Sequence, residues 1–208
     1  MKVIALNGSP RKDGNTFLAL SLMADTLRKE NIETEIIQIG AENIYGCRAC
    51  NGCSASEHNH CVIPGDILNT VSDTLREADG FILASPTYYA GISGTMKSFL
   101  DRLFYSSGRY FKYKVGTSIS VVRRAGAVDV IHQLNNYLAL AQMVIPPSQY
   151  WPVVYGMDRR EILGDAEGIQ TIQQNARAMA WLLKALDAAK GMVQYPEAVQ
   201  REWTNFIR

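Results

Sequence analysis

The sequence contains no apolar run long enough to span a membrane and no extended run of charges of one sign. A transmembrane helix needs roughly 20 consecutive apolar residues, so we expect no membrane partner. The 21 Lys and Arg residues nearly balance the 20 Asp and Glu residues, which gives a formal net charge of +1. Because nucleic-acid-binding domains are typically strongly basic, we expect no nucleic-acid partner either.

Cysteine is also scarce. The chain has four cysteines, and all of them fall between positions 47 and 61, so no disulfide framework extends along the sequence. The N-terminus enters a predicted strand directly, without the apolar region and cleavage site of a signal peptide. We therefore expect a cytoplasmic protein, in which clustered thiols are typical of metal or redox chemistry.

What the sequence does contain is a regular alternation of short apolar runs and amphipathic segments, typical of an α/β domain. The predicted strands are residues 3–6, 33–39, 80–85, 115–122 and 143–145, the last with an extension toward Val153. The predicted helices are residues 16–31, 66–78, 93–104, 127–141 and 165–191. This alternation implies a parallel sheet covered on both faces. Residues 105–114 are expected to form an exposed excursion.

We assign residues 1–191 to one domain and residues 192–208 to a C-terminal tail. The tail carries Trp203 and Phe206, and large apolar side chains of this kind are costly to expose on a monomer. They suggest an oligomer contact.

The segment from Lys2 to Thr16 predicts an anion site. An apolar strand is followed by the turn Asn7-Gly8-Ser9-Pro10 and then by a helix that we expect Asn15 or Thr16 to cap. Free N–H groups and the positive end of the helix dipole would face such a loop, which suits a phosphate. Ser9 and either Arg11 or Lys12 add hydroxyl and cationic donors.

The spacing of this loop narrows the choice of ligand. A Walker loop has four residues between its glycines and then a lysine, whereas five separate Gly8 from Gly14 and Asn15 occupies the lysine position. The dinucleotide motif G-x-G-x-x-G fails at its second glycine. A terminal phosphate monoester remains, and the alternative is an ordinary loop with a proline turn.

Two further loops should meet the first one, because ligands of parallel sheets bind at the carboxyl ends of the strands. In residues 86–91, Tyr88 and Tyr89 could stack on a flat ring, and the Thr87 and Tyr88 N–H groups could donate to it. Residues 123–126 carry two arginines and a glycine, and a cation there would stabilise an anionic ring. The alternatives are tyrosines packed on a helix start and solvated arginines.

The motifs GSPRxxGNT and SPTYYxG, together with a cysteine-rich loop after the second strand, resemble those of the NAD(P)H-dependent FMN reductase family, including its iron–sulfur flavoproteins. The resemblance implies a flavodoxin-like, three-layer, doubly wound sandwich with a five-stranded parallel sheet in the order 2-1-3-4-5. It implies FMN contacts at Ser9, Arg11, Asn15, Thr16, Pro86, Thr87, Tyr88, Tyr89, Gly91, Arg123, Ala125 and Gly126.

The cysteines Cys47, Cys50, Cys53 and Cys61 are separated by two, two and seven residues. This pattern resembles the cluster motif of the iron–sulfur flavoproteins and makes the four thiols candidate ligands of a [4Fe–4S] cluster. A zinc site with His58 or His60 as a spare ligand and a metal-free lid or dimer contact are the alternatives.

We therefore expect an FMN-dependent oxidoreductase that takes hydride from NAD(P)H as a transient co-substrate and passes electrons to an unidentified acceptor. No catalytic side chain is assigned, because the flavin carries the chemistry. A homodimer or homotetramer is expected by the habit of the family. The alternatives are an iron–sulfur flavoprotein that carries electrons between proteins and a thiol-based redox sensor.

Overall fold

The computed structural model describes residues 1–200 and 202–204 and contains one parallel sheet flanked by helices. The strands in this part of the chain are β1 (Lys2–Asn7), β2 (Glu33–Gln38), β3 (Gly80–Pro86), β4 (Val115–Val122) and β5 (Val153–Tyr155). The α-helices are α1 (Asn15–Lys29), α2 (Gly52–Ala55), α3 (Leu68–Glu77), α4 (Gly94–Ser107), α5 (Ala127–Leu140) and α6 (Ala166–Ala189). The strand order β2-β1-β3-β4-β5 confirms the expected doubly wound topology.

Hydrophobic cores lie on both faces of the sheet, because successive side chains of a strand point to opposite faces. In β1, Val3 and Ala5 pack in the core that includes α1 and α6, whereas Ile4 and Leu6 pack in the core that includes α3, α4 and α5. All four side chains are fully buried. This confirms that the uninterrupted apolar run is a central strand of a parallel sheet.

The predicted position of the fifth strand at residues 143–145 is wrong. Val144 makes only an isolated bridge to Val115, and β5 instead pairs with the last three residues of β4. Pro146 and Pro147 separate the two positions, and a proline has no N–H to donate to a strand partner. The chain therefore leaves the sheet edge after Val144 and rejoins it at Val153.

The expected exposed excursion at residues 105–114 is also wrong in part. Helix α4 continues to Ser107, and a 3₁₀ turn covers Gly108–Phe111. Phe111 is fully buried, and its ring centroid lies 5.0 Å from that of Phe81 and 5.5 Å from that of Phe104. The segment is thus part of the core on that face of the sheet.

In the described part of the tail, Tyr195 packs against the body of the protein. The Tyr195 ring stacks on the Tyr113 ring with 4.8 Å between centroids. Trp203 is 82% exposed, and Phe206 lies outside the described residues. The division at residue 191 stays a prediction. None of the described helices has both the length and the apolar character needed to cross a membrane.

Candidate functional site

The loops after β1, β3 and β4 are joined by direct contacts at the carboxyl edge of the sheet, as the parallel topology predicts. The Ser93 hydroxyl, immediately before α4, donates to the Gly8 carbonyl at 2.6 Å, and the Gly8 N–H donates to the Ala84 carbonyl at 2.8 Å. A β-carbon at Gly126 would lie 2.9 Å from the Ala90 Cα. The backbones of these loops are therefore in van der Waals contact with one another.

The backbone around Ser9 is held by two polar side chains that end neighbouring strands. The buried Asn7 accepts the Ser9 N–H at 3.1 Å through Oδ1 and donates to Gln38 Oε1 at 2.7 Å. Gln38 Nε2 in turn donates to the Ser9 carbonyl at 2.5 Å. Neither residue is among the predicted site residues. The available signal is a polar side chain at the last position of a strand.

The first turn of α1 presents backbone donors at this edge. Its N-cap is Gly14, without a side-chain capping bond, so the prediction that Asn15 or Thr16 caps the helix is wrong. The first N–H groups of a helix have no acceptor inside it, and the helix dipole is positive there. Thr16 and Ser9 are buried, whereas Arg11 is exposed.

The side-chain oxygen of Asn15 is a further group at this edge that could accept a hydrogen bond from a ligand. Its Oδ1 is buried and has no hydrogen-bond partner among the described residues. Together with the amides of the first helical turn, this oxygen fits a ligand that carries both a phosphate and hydroxyl groups.

A fourth loop, residues 156–160, closes over the first one and was not predicted. Asn15 Nδ2 donates to the Asp158 carbonyl at 2.8 Å, and Arg159 pairs with Asp13 at 2.5 Å. Glu161 braces this loop by accepting the Asp158 N–H at 2.8 Å and the Met157 N–H at 2.6 Å. These two donors, with Asp158 the stronger, hold the pKa of Glu161 below its ordinary value. The sequence did not predict this loop because the loop follows β5, and β5 was predicted at the wrong position.

Residues 88–91 form a tight turn with an unusual backbone. Tyr89 and Ala90 both have positive φ, 49° and 57°, which is the type I′ arrangement that normally requires glycine or asparagine. The turn is closed by reciprocal bonds between Tyr88 and Gly91, at 3.0 and 2.8 Å, and Gln133 Nε2 donates to the Ala90 carbonyl at 3.2 Å. Strained backbone of this kind tends to occur at ligand sites.

The prediction that the Thr87 and Tyr88 N–H groups donate to a ligand is wrong. The Thr87 N–H donates to the Val121 carbonyl at 2.9 Å and the Tyr88 N–H to the Gly91 carbonyl, so both are used within the protein. The N–H groups of Tyr89 and Ala90 make no backbone hydrogen bond in the described chain. The N–H groups of Tyr89 and Ala90 are therefore the available donors of this turn. The Tyr89 side chain is fully exposed.

The remaining predicted contacts lie in the loop after β4. Arg123 and Ala125 are exposed, and Gly126 has a φ of +85° and touches the turn at Ala90. Pro86, Thr87 and Gly91 are partly buried. The predicted flavin-contact residues therefore lie in the connected loops, at the first turn of α1 or at the end of β3, all at one edge of the sheet.

The cysteines lie in the connection between β2 and α3. Cys47 and Cys50 are exposed, Cys53 is buried in α2, and Cys61 is half-buried. All four line a single cavity of about 20 Å³, which has room for about one water molecule. Within the described residues, no three His, Cys, Asp or Glu side chains form a group that could hold a metal ion. The donors share one cavity, and the loop would have to move for a cluster to bind.

The two histidines considered as spare zinc ligands lie on the same connection. His60 Nε2 is 2.7 Å from a carboxylate oxygen of Asp73, and the His58 ring centroid is 5.7 Å from that of His60. Neither histidine lines the cysteine cavity.

A buried arginine that sequence reasoning missed closes the inner side of the cysteine cavity. The Arg102 side chain in α4 has no exposed surface and pairs with Asp66, whose side chain is 4% exposed. Its Nε donates to Cys61 Sγ at 3.2 Å, and its terminal nitrogens donate to the carbonyls of Ile63 at 3.0 Å and Tyr45 at 3.3 Å. Burial acts to lower the pKa of Arg102, but the hydrogen bonds to Asp66 and Cys61 outweigh it and raise the pKa.

Comparison with known proteins gives a family match over most of the chain. The family described as "NADPH-dependent FMN reductase" matches residues 1–158. An iron–sulfur flavoprotein of Methanocaldococcus jannaschii is 30% identical over 194 residues, which cover 89% of this chain and 99% of that protein.

Solved structures agree on the fold. RosB, in a crystal structure with bound 8-demethyl-8-formylriboflavin-5′-phosphate, superposes with a TM-score of 0.71 at 19% identity and covers 100% of this chain and 94% of its own. An archaeal flavodoxin superposes with a TM-score of 0.58 at 14% identity, covering 88% of this chain and 99% of its own. The fold is flavodoxin-like.

Proposed function

We propose that this chain, which belongs to the NADPH-dependent FMN reductase family, binds FMN without a covalent bond and oxidises NAD(P)H. The family makes it a flavin oxidoreductase. The observation that carries the finer proposal is the junction of the loops at the carboxyl edge, where the uncapped start of α1 and the buried Asn15 Oδ1 lie beside one another. A phosphate and the hydroxyls of a ribityl chain would meet both needs.

Each loop has a distinct part in this proposal. The phosphate would be held by Ser9, Arg11, Asn15 and Thr16. The ring would lie against Pro86, Thr87, Tyr88, Tyr89 and Gly91, with Arg123, Ala125 and Gly126 at its polar edge. A donor or cation at that edge favours negative charge on the ring. FMN, when bound, supplies the hydride chemistry, and the protein supplies binding, orientation and electrostatics.

The reductase activity has a direct test. The FMN-loaded protein, mixed with NADH or NADPH in the absence of air, should lose its absorbance near ~450 nm, where a protein-bound oxidised flavin absorbs. The faster of the two nucleotides identifies the co-substrate. If neither nucleotide lowered the flavin absorbance, the proposed reductase activity would be wrong, even if FMN were tightly bound.

The phosphate assignment is tested by replacing Arg11 with glutamine and Thr16 with valine together. Because a hydrogen bond to a charged group contributes about 1.5–3 kcal/mol, each of the two replacements should weaken FMN binding by roughly 10- to 100-fold. The matched control is Lys29→Gln, which removes an exposed cation at the opposite end of α1, away from the proposed phosphate loop. Fluorescence titration with FMN measures both. Equal affinities for the double variant and the wild type would place the phosphate elsewhere.

The shared cavity of the four cysteines favours a second candidate function, an iron–sulfur flavoprotein that carries electrons between partner proteins. Cys47, Cys50, Cys53 and Cys61 supply thiolate donors, the ligand type of a [4Fe–4S] cluster, and Arg102 donates to one of them. The relative from Methanocaldococcus jannaschii carries this name. Iron and acid-labile sulfide, measured on protein purified without oxygen, should approach four of each per chain if this candidate is right. Zinc instead, or no metal, would reject it.

We also propose that the protein is cytoplasmic and forms a homodimer or homotetramer through its aromatic tail, with a small molecule or a protein as electron acceptor. Light scattering on the full chain and on a chain ending at residue 191 would test the tail, since the shorter chain should dissociate.

A further inference from the structure

We propose that a cavity at the broken edge of the sheet binds an adenine base, which pairs with the main chain of Ser118 and stacks on the ring of Trp151. The cavity has a volume of about 340 Å³ and is lined by residues of β4, α5, α6 and the segment between Val144 and β5. A volume of this size suits a small ligand. The proposed FMN contacts lie elsewhere, at the carboxyl ends of the strands.

The main chain of Ser118 faces the gap in the sheet edge. The Gly116 N–H donates to the Val144 carbonyl at 3.0 Å, before the gap. The Ser120 N–H donates to the Pro152 carbonyl at 3.0 Å, after the gap. Every second residue of a strand directs its N–H and carbonyl to the same side, so Ser118 faces the same side as these two residues. In the described chain its N–H and carbonyl make no backbone hydrogen bond there.

The prolines of the crossing segment explain why Ser118 is left without a partner. In a regular parallel ladder the Ser118 carbonyl would accept the N–H of residue 152, but Pro152 has none. The Ser118 N–H would donate to the Pro146 carbonyl, which instead lies 3.5 Å from Asn175 Nδ2. Ser118 is only 2% exposed. Because buried main-chain groups are nearly always paired, this donor and acceptor require a partner within the cavity.

Adenine fits this arrangement because it presents an acceptor and a donor side by side. Its N7 accepts and its 6-amino group donates, so the two would face the Ser118 N–H and carbonyl. The neighbouring polar side chains are already paired. The Ser118 hydroxyl donates to Asn135 Oδ1 at 2.7 Å, and the Thr117 hydroxyl donates to Asn175 Oδ1 at 2.8 Å. The main chain of Ser118 therefore remains as the group that a ligand would meet.

Trp151 supplies an aromatic ring at the cavity. It lines the cavity and is 47% exposed, and the Tyr150 ring meets its ring at 75° with 4.8 Å between centroids. Ile131 and Ile145 add apolar surface to the lining. Nucleobases stack on such rings. The cavity thus combines a hydrogen-bonding edge with an apolar face, the two features that recognise a flat base.

The adenine has two sources, a separate adenine nucleotide and the adenosine half of NAD(P)H. The second source rests on the proposed function. Ser118 lies four residues before Val122, the end of β4, which places it about 13 Å from the carboxyl edge. The Ser120 and Thr87 hydroxyls, 2.9 Å apart, connect this part of the strand to the proposed ring-binding turn. An extended dinucleotide is long enough to cover this distance.

The binding test uses the full chain saturated with FMN, so that the proposed phosphate loop is filled. Adenosine monophosphate is titrated by calorimetry and should bind. Trp151→Ala should weaken this binding roughly 5- to 150-fold, since the base loses its stacking partner. Purine riboside monophosphate lacks the 6-amino donor and leaves the Ser118 carbonyl unpaired. It should bind the wild type roughly 5- to 150-fold more weakly than adenosine monophosphate.

The matched control is Trp181→Ala, which removes a tryptophan of α6 that is 66% exposed and does not line the cavity. It should bind adenosine monophosphate like the wild type. Circular dichroism and FMN affinity verify that each variant is folded, and if Trp151→Ala fails to fold, the two nucleotides compared on the wild type decide. No binding of adenosine monophosphate by the wild type, or equal binding of the two nucleotides, would overturn the proposal.

The kinetics of NAD(P)H oxidation separate the two sources. If the adenine belongs to NAD(P)H, adenosine monophosphate should compete with it, and Trp151→Ala should raise KM while kcat stays unchanged, because the lost contact is the same in the ground and transition states. If the source is a separate nucleotide, adenosine monophosphate should bind without competing. A protein that binds adenosine monophosphate but does not oxidise NAD(P)H would reject the proposed reductase and still support the adenine site.

Discussion

Replacing Asp66 by alanine should lower the free energy of unfolding by about 3–5 kcal/mol, the cost of breaking a buried ion pair by removing one partner. The cause is the loss of the carboxylate that compensates the Arg102 charge, because that guanidinium has no exposed surface. The start of α3 also loses the Asp66 oxygen that accepts the Leu68 N–H. Urea unfolding of wild type and variant, followed by circular dichroism, measures the difference.

The matched control is Asp73→Ala. Asp73 is also paired, with Arg76 at 3.7 Å and His60 at 2.7 Å, but its side chain is 52% exposed. Exposed pairs contribute about 0–1 kcal/mol, so this variant should remain close to the wild type. A third variant, Asp66→Leu with Arg102→Met, should recover part of the loss, since it leaves no charge unpaired. Similar losses for Asp66→Ala and Asp73→Ala would mean that burial does not control the strength of the Asp66 pair.

Replacing Gly40 by alanine should release FMN while leaving the sheet intact. A β-carbon at Gly40 would overlap the Gly8 carbonyl oxygen and the Ser9 carbonyl carbon, and both belong to backbone that cannot rotate away. Overpacking of this kind typically costs about 1–3 kcal/mol. Since the displaced backbone belongs to the proposed phosphate loop, FMN affinity should fall by roughly 5- to 150-fold, as measured by fluorescence titration.

Gly46→Ala is the control for this prediction. Gly46 lies on the same connection after β2, and the nearest atom to a β-carbon there would be Ser98 Oγ at 3.9 Å, an ordinary contact. FMN affinity should therefore be unchanged. If Gly40→Ala also bound FMN like the wild type, the loop after β1 would not hold the phosphate.

The sequence predicts the sheet well where burial on both faces leaves one interpretation. The apolar runs of β1, β3 and β4 are confirmed within one or two residues. The fifth strand is misplaced because Met143-Val144-Ile145 is apolar enough for a strand, and local composition does not reveal that the following prolines turn the chain away. The position of β5 depends on the β4 edge that it meets, which is a tertiary constraint.

The candidate site is predicted in part for similar reasons. Motif spacing leads to the loops after β1, β3 and β4, because the topology alone brings them to one edge. Gln38 and the loop at 156–160 act through contacts between residues far apart in sequence, which motif spacing does not identify. For Asn7 and Gln38 the local signal is only a polar side chain at the end of a strand. Arg102 had a signal: it lies beside Leu103 and three residues after Phe99, on the apolar face of α4, where a charge requires a buried partner.

The break in the sheet edge between Val144 and β5 also bears on the tendency of the protein to aggregate. An uncovered strand edge can recruit further strands and start aggregation. The segment that crosses this edge contains Pro146, Pro147 and Pro152, and its Pro152 carbonyl accepts the Ser120 N–H at 3.0 Å. Prolines have no N–H to offer an incoming strand. The irregular segment therefore disfavours cross-β association along β4, the most buried of the described strands.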